Sequence, residues 1–245
     1  MTKTVFITGA NRGIGLELAR LHKAAGWNVL ATFRDESTSS ELRDLLGADK
    51  VHQLDVKDQN AISKLPQFIA EHSGCLHRLI NNAGVFGPRS NEGEDFAQIA
   101  TAEWLDTFHV NAVAPVQIAK SLQGLLASTQ PDGEGADTKC PQIVNISSRM
   151  GSVENCGTEK SSYAPIYRAS KSALNMAMTC LAADVQGLGI GVYLMHPGWV
   201  QTAMGGENAD LSVQKSAFNL FSTMNNFSLS QSGGFFNHDG TKILW

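Results

Sequence analysis

Thr4-Val5-Phe6-Ile7-Thr8-Gly9-Ala10-Asn11-Arg12-Gly13-Ile14-Gly15 is the stretch that decides the fold of this chain. Its first five residues are β-branched or aromatic, which predicts a buried strand. Three glycines follow, and a helical pattern then begins with Ile14, Leu18 and Leu21 on one face. A strand, a glycine turn and a helix in this order form the first half of a βαβ unit.

The glycines of this turn are spaced as a phosphate site requires. Gly9 allows a sharp turn, Gly13 lets the backbone approach a pyrophosphate, and Gly15 permits close packing of the helix on the strand. The first N–H groups of the helix are then available to an anion. Because the spacing is GxxxGxG rather than GxGxxG, an ordinary tight turn remains an open alternative at this point.

The rest of the chain continues the alternation of strands and helices. Further strands are predicted over Asn28–Phe33, Val51–Asp55, Leu76–Asn82, Gln142–Ser147 and Ile190–His196, and long helices over Thr101–Ser128 and Pro165–Gly187. Nearly continuous apolar strands indicate burial on both faces. We expect one α/β domain over residues 1–245, a Rossmann-type doubly wound parallel sheet with helices on both faces.

Two polar segments interrupt this alternation. Thr129–Pro141 is rich in Gly, Asp and Pro and predicts a surface loop. Ser152–Pro165 predicts a second polar loop, at a place where it can form a wall of a substrate pocket.

Composition and charge exclude several classes of function. The net charge is −4 and the isoelectric point about 6.0, so neither nucleic acid nor an anionic membrane is an expected partner. No apolar run approaches the ~20 residues that cross a bilayer, and the first ten residues leave no room for a signal peptide, so we expect a cytoplasmic protein.

The four cysteines show no CxxC spacing and the seven histidines no HxxxH pair, which predicts reduced thiols and no metal site.

Four segments, in order, resemble the short-chain dehydrogenase/reductase family. They are TGxxxGIG at Thr8–Gly15, NNAG at Asn81–Gly84, YxxxK at Tyr167–Lys171 and PG at Pro197-Gly198. The resemblance covers almost the whole chain. It implies an oxidoreductase that uses a nicotinamide dinucleotide.

Tyr167 and Lys171 are four residues apart in a predicted helix, so their side chains share one face. A nearby ammonium and a positively charged nicotinamide ring would lower the pKa of Tyr167 from ~10 toward neutrality. Lys171 also has donors for the ribose hydroxyls of the cofactor. YxxxK alone leaves an ordinary surface pair as the alternative. Tyr163 has Tyr167 rather than a lysine at i+4, and we expect it near the pocket in a loop.

Ser148 and Asn111 complete the catalytic set that the resemblance implies. Ser148 has Gly151 three residues later, which matches the SxxG spacing of the family's catalytic serine, and it would donate a hydrogen bond to the substrate carbonyl. Strand alternation turns Ser147 to the opposite side, where we expect a bond to backbone. Asn111 matches the helix asparagine that holds a water in the family, with a tolerated polar residue as the alternative.

The residues around the second strand favour NADPH over NADH. The family's NAD-selecting acid usually closes this strand, and Phe33 stands there instead, although Asp35 lies near the expected distance from the glycines. Arg12 and Arg34 can both bind a 2′-phosphate, unless both are solvated surface charges. The remaining cofactor-binding residues, which the glycine spacing and the family resemblance imply, are Gly9, Asn11, Gly13, Ile14, Gly15, Asp55, Val56, Asn82, Ala83, Gly84, Tyr167, Lys171, Pro197, Gly198, Val200 and Thr202.

The segment His196–Gly206, together with Gly233–Gly240 and Trp245, resembles the sniffer-like and C-factor-like carbonyl reductases. The resemblance implies NADPH-dependent reduction of an aldehyde, ketone or quinone, a small-molecule substrate that Tyr167 protonates, and a homodimer or homotetramer. Two alternatives stay open: an alcohol or steroid dehydrogenase working in the oxidative direction, and a non-catalytic dinucleotide-binding sensor. Trp199 is either near the nicotinamide or in the core, and Met204, Phe218 and Phe221 either cover the pocket or belong to the core.

Overall fold

The computed structural model describes residues 2–88, 99–129, 140–159 and 163–245. Within these ranges, seven strands form one sheet: β1 Thr4–Ile7, β2 Asn28–Phe33, β3 Val51–Gln53, β4 Arg78–Asn81, β5 Gln142–Ile146, β6 Gly191–His196 and β7 Phe235–Asn237. Their order is β3-β2-β1-β4-β5-β6-β7, and every neighbouring pair is parallel. The chain changes direction across the sheet between β1 and β4. Such a switch point opens a crevice at the carboxyl ends of the strands, where ligands bind.

Helices cover both faces of the sheet. In chain order they are α1 Gly13–Ala24, α2 Ser40–Leu46, α3 Gln59–Ser63, α4 Leu65–Ala70, α5 Thr101–Phe108, α6 Ala114–Ala127, α7 Val153–Glu159, α8 Pro165–Val185 and α9 Val213–Asn226. Side chains alternate along β1, so Val5 and Ile7 pack with α1, α2 and α9, and Phe6 packs with α3, α4, α6 and α8. The doubly wound architecture predicted from the sequence is confirmed.

The predicted elements differ from the observed ones mainly at their ends. All six predicted strands are present, with ends shifted by up to two residues, whereas the sequence pattern did not indicate β7, α2, α3, α4 or α9. The long helix predicted over Thr101–Ser128 is divided by a π-helical turn at His109–Val113. Most of the loop predicted over Thr129–Pro141 lies in residues 130–139, outside the described part of the chain.

The prediction of a continuous polar loop over Ser152–Pro165 is wrong, because α7 occupies its first half. The Ser152 hydroxyl caps this helix by accepting from the Asn155 N–H at 3.0 Å. The Glu154 N–H donates to the Trp245 carbonyl at 2.8 Å, so a distant part of the chain satisfies a second free donor. Residues 160–162 lie outside the described ranges.

The described residues offer neither a membrane span nor a cluster of metal ligands. None of the helices found there is both long and apolar enough to span a bilayer. The same residues contain no group of three His, Cys, Asp or Glu side chains that could hold a metal ion.

Candidate active site

The glycine turn is locked to the end of β4 by hydrogen bonds. The Thr8 hydroxyl accepts from the N–H groups of Asn82 and Ala83, at 3.0 and 3.1 Å. The Asn82 amide in return donates to the carbonyls of Thr8 and Gly9, at 3.0 and 2.8 Å. Gly9 has φ +62°, and a Cβ there would lie 3.0 Å from the Ala83 Cα. Glycine is therefore required here. The role of Thr8 in this contact was missed in the sequence.

The amino terminus of α1 is free to receive an anion. Arg12, the residue before the helix, makes no side-chain capping bond, and the first turn contains no acidic residue. Gly13 has φ +56°, and a Cβ there would lie 3.5 Å from the Thr202 methyl group. Gly15 is needed for packing, since its Cβ would lie 2.5 Å from the Asn82 amide nitrogen. An uncapped helix dipole thus faces Thr202 across a groove with the features of a pyrophosphate site.

The segment Pro197–Thr202 forms the other side of this groove. A bridge between Val200 and Leu211 anchors it. The Thr202 hydroxyl accepts from the Gly205 N–H at 3.1 Å. The Trp199 indole N–H donates to the Gly205 carbonyl at 2.8 Å, while its ring is 51% exposed. Trp199 therefore belongs to the loop surface, and the core alternative is wrong.

The carboxyl end of β2 presents an exposed arginine, and the acid next to it is bonded within its own turn. β2 ends at the buried Phe33, and the exposed Arg34 follows it directly. Asp35 accepts hydrogen bonds from the Ser37 N–H and hydroxyl, at 3.0 and 2.8 Å. These bonds lower the pKa of the Asp35 carboxyl and tie it to its own turn. Asp35 is thus engaged locally.

The other predicted cofactor residues lie along the same edge of the sheet. The Asn11 amide donates to the Thr38 hydroxyl at 2.9 Å, which joins the glycine turn to the segment after β2. The Asp55 carboxylate accepts from the Lys57 N–H at 2.9 Å, and Val56 is buried beside it.

Arg12 borders a cleft of about 720 Å³ at the centre of this edge. The cleft is also lined by Gly84, Phe86 and Met204. Met204 is an exposed residue that lines this cleft, so it does not belong to the core, and its covering of the substrate pocket stays a prediction. Phe218 is instead exposed on α9, and Phe221 packs against the His22 ring at 4.8 Å.

Ser148 and Tyr167 meet above the end of β5. Their side chains share a hydrogen bond, and the Ser148 oxygen also accepts from the Met150 N–H at 3.1 Å. Ser147 points the other way, and its hydroxyl donates to the Asn175 amide oxygen at 2.6 Å. Strand alternation thus separates the two serines as expected, although the partner of Ser147 is a side chain and not backbone.

Gly151 holds the serine turn against α8. A Cβ on Gly151 would lie 2.9 Å from both the carbonyl carbon and the Cβ of Lys171. The absence of a side chain lets the turn that begins at Ser148 contact the helix that carries Tyr167 and Lys171. The SxxG spacing therefore has a packing role in addition to marking the serine.

Lys171 is buried below the same site. Its ammonium donates to the Ile146 carbonyl at 2.9 Å and lies 5.8 Å from the centre of the Tyr167 ring. A Cβ on Gly84 would lie 3.7 Å from this nitrogen and 3.3 Å from the Asn111 amide oxygen. The NNAG segment, Asn111 and Lys171 therefore converge on one place.

Asn111 lies in the π-helical turn between α5 and α6. Its amide oxygen accepts from the Val85 N–H at 2.9 Å, and its amide nitrogen donates to the Val85 carbonyl and the Ser170 hydroxyl, at 2.8 and 3.0 Å. A buried asparagine with three satisfied bonds is a structural joint between the segment after β4 and α8. π-Helical turns are frequent at functional sites.

Burial shifts both titratable groups of the pair toward their neutral forms. It raises the pKa of Tyr167 to about 12, although the hydrogen bond from Ser148 opposes this, and it lowers the pKa of Lys171 to about 8. The expectation that Lys171 and the nicotinamide ring together lower the pKa of Tyr167 stays a prediction, and burial acts in the opposite direction to it.

An aromatic wall beside Tyr167 was missed in the sequence. The Phe86 ring stacks on the Tyr167 ring with 4.7 Å between centres, and Tyr163 lies 6.0 Å from Phe86. Tyr163 is thus near the pocket, as expected. The position of Phe86, two residues after the NNAG segment, was the available signal.

Known proteins are similar to this chain in both sequence and fold. A family described as short chain dehydrogenase matches residues 3–211. The carbonyl reductase Sniffer of D. melanogaster superposes with a TM-score of 0.87 and 32% identity over all of both chains. The NADPH-bound carbonyl reductase from chicken fatty liver has a TM-score of 0.87 and 29% identity, over 100% of this chain and 99% of that one. The C-signal protein of Myxococcus xanthus is 36% identical over 175 residues, 71% of this chain and 95% of that protein.

Proposed function

This chain belongs to the short-chain dehydrogenase family of oxidoreductases, and from that premise we propose that it is an NADPH-dependent carbonyl reductase with Tyr167 as its proton donor. The observation that carries the proposal is the buried hydrogen-bonded pair of Ser148 and Tyr167, with Lys171 beneath it. The pair lies at the same edge of the sheet as the uncapped amino terminus of α1. The similarity to carbonyl reductases supports the choice of substrate class.

In the proposed reaction, Ser148 and Tyr167 both act on the substrate oxygen. NADPH supplies a hydride to the carbonyl carbon when it is bound. Ser148 donates a hydrogen bond to the oxygen as negative charge develops, and the Tyr167 hydroxyl gives it a proton. Carbonyl compound, NADPH and one proton become alcohol and NADP⁺. Because the pKa of Tyr167 is raised to about 12, its hydroxyl is protonated at neutral pH, as the role of proton donor requires.

The residues present fit a dinucleotide phosphate. The free N–H groups at Gly13, Ile14 and Gly15 suit the pyrophosphate. One of the three ammonium protons of Lys171 is used by the Ile146 carbonyl, which leaves two for the ribose hydroxyls. Arg34 would bind the 2′-phosphate, since Asp35 is engaged by Ser37. The other residues assigned to the cofactor are Gly9, Asn11, Arg12, Asp55, Val56, Asn82, Ala83, Gly84, Tyr167, Pro197, Gly198, Val200 and Thr202.

The reaction is tested by following NADPH absorbance with a panel of aldehydes, ketones and quinones. We expect turnover by the parent and a loss of about 100-fold or more in kcat for Tyr167→Phe, the upper range for general acid catalysis. Tyr193→Phe is the matched control, because its hydroxyl donates to the Ser228 carbonyl in the core. It is expected to lower stability and leave kcat unchanged. Equal turnover by Tyr167→Phe and the parent would falsify the mechanism, and no NADPH oxidation with any carbonyl would favour the sensor alternative.

The cofactor assignment is tested by comparing kcat/KM for NADPH and NADH. Arg34→Ala should lower the value for NADPH by about 10- to 100-fold, the effect of losing a charge-assisted hydrogen bond, and leave NADH unchanged. Arg20→Ala is the control, since this exposed arginine pairs with Glu41. A preference of the parent for NADH would overturn the assignment.

A further inference from the structure

A second cavity lies at the edge of the sheet opposite to Ser148 and Tyr167. It has a volume of about 950 Å³ and opens at the amino ends of β1, β2, β4 and β5. This volume is within the range of small-molecule sites. Side chains that line it include Lys3, Trp27, His77, Arg78, Gln142 and Asn225.

Arg78, at the base of this cavity, is a buried cation with only neutral partners. Its guanidinium donates to the Gln142 and Asn225 amide oxygens at 2.8 and 3.0 Å and to the Met224 carbonyl at 3.3 Å. It also lies over the Trp27 ring at 4.7 Å. None of the ion pairs formed by the described residues includes Arg78. A buried charge without a counter-charge is unfavourable.

His22 is the fourth polar partner of Arg78 and adds no compensating charge. Its Nδ1 lies 2.7 Å from the Leu18 carbonyl and therefore carries the proton, so Nε2 accepts from Arg78 at 2.9 Å. Burial, with the neighbouring Arg78 charge, lowers the pKa of His22 to about 3, and the ring is neutral. Four of the five guanidinium protons are then used within the described chain, and one on Nη1 has no acceptor there.

The other residues that line the cavity indicate which kind of ligand could neutralise the charge of Arg78. Lys3 adds a second cation at the rim, while Trp27 and Phe221 supply apolar surface. We propose that the cavity is a binding site for an organic carboxylate whose apolar body contacts Trp27 and Phe221 and whose carboxylate faces Arg78 and Lys3. This site is separate from the proposed reductase chemistry and does not depend on it.

The test is calorimetric titration of the full chain with octanoate. Octanol and octylamine, which have the same chain length but a neutral and a cationic head group, are the control ligands. We expect saturable binding of one octanoate, at least 10-fold weaker binding of octanol, and no binding of octylamine. Lys3→Glu should weaken octanoate binding at least 5-fold and Arg78→Met should abolish it. Lys215→Glu, an exposed lysine on α9 that does not line the cavity, should bind as the parent does.

Three outcomes would overturn the proposal. One is octanoate binding that is unchanged in Lys3→Glu. This variant keeps the test valid even if Arg78→Met fails to fold. Another is binding lost in Tyr167→Phe or competitive with the carbonyl substrate, which would place octanoate in the active site. The third is inorganic phosphate binding as tightly as octanoate, which would show an anion site without use of the apolar walls.

Discussion

Ser147 and Ser148 are neighbours in the chain with opposite surroundings. β5 ends just before them, so the alternation of a strand turns Ser148 toward Tyr167 and Ser147 toward Asn175. Both hydroxyls are buried. The difference between them is therefore one of partner rather than exposure.

Replacing each serine by alanine should show which of the two carries the chemistry. Ser148→Ala is expected to lower kcat by about 100-fold through loss of a donor to the developing oxyanion. It should also cost about 1–3 kcal/mol of unfolding free energy, because Tyr167 and the Met150 N–H each lose a partner. Ser147→Ala should leave kcat unchanged. Its free energy of unfolding should decrease by about 1–3 kcal/mol, because the buried Asn175 amide loses a partner. Steady-state kinetics and urea unfolding of both variants check this. A larger kinetic effect at Ser147 would reverse the assignment.

At the scale of elements, α7 connects the two catalytic segments. Glu159, at its end, accepts from Arg149 at 2.8 Å and lies 3.5 Å from Arg168. Arg149 directly follows Ser148, and Arg168 directly follows Tyr167. The Arg168 Nε also donates to the Tyr163 carbonyl at 2.9 Å. One carboxylate thus links the serine turn to the start of α8.

Glu159→Gln should loosen this link. Because Arg149 and Glu159 are 55% and 39% exposed, we expect a decrease in kcat of only about 2- to 5-fold, in keeping with the small energies of exposed ion pairs. Asp184→Asn is the matched control. It breaks the exposed ion pair between Asp184 on α8 and Lys120 on α6, and it should leave kcat unchanged. Equal kcat values in the two variants would show that Glu159 does not position the site.

At the scale of the whole molecule, buried histidines couple stability to pH. Burial lowers the pKa of His22 to about 3, with Arg78 adding to the shift, and that of His196 to about 4, with His238 and Arg149 adding to it. Both side chains are neutral in the folded chain at neutral pH, whereas each titrates near ~6.5 when unfolded. As the pH falls below this value, the unfolded chain binds protons first, and stability decreases.

The stability contributed by His22 should be fully present above pH 6.5 and decrease as the pH falls toward 3. At pH 5 the loss from His22 alone is about 2 kcal/mol. Urea unfolding at pH 7, 6 and 5 measures it. His22→Gln is expected to be less stable at pH 7 but to show a flatter pH dependence, with the remaining slope due to His196. The same slope in parent and variant would contradict this.

Assembly also belongs to this scale. The homodimer or homotetramer that the family resemblance implies stays a prediction, and sedimentation analysis would test it.

Much of the candidate site was predictable because its residues lie at the ends of strongly patterned elements. Gly9, Asn82 and Ser148 each follow a buried apolar strand, and parallel strands bring their carboxyl ends to one edge. Residues without such a position were missed. Phe86 lies in an irregular segment, and only the fold shows that its ring stacks on Tyr167.

The sequence by itself determined the family, the alternation of strands and helices, and which residues can carry the chemistry, because these depend on local pattern and spacing. Only the tertiary structure decided the direction of the Tyr167 pKa shift, since burial is a property of the packed chain. It also decided that Asp35 is engaged by Ser37, that α7 replaces part of a loop, and that Arg78 is buried without a counter-charge. Each of these depends on contacts between a side chain or helix and groups whose placement the linear pattern does not specify.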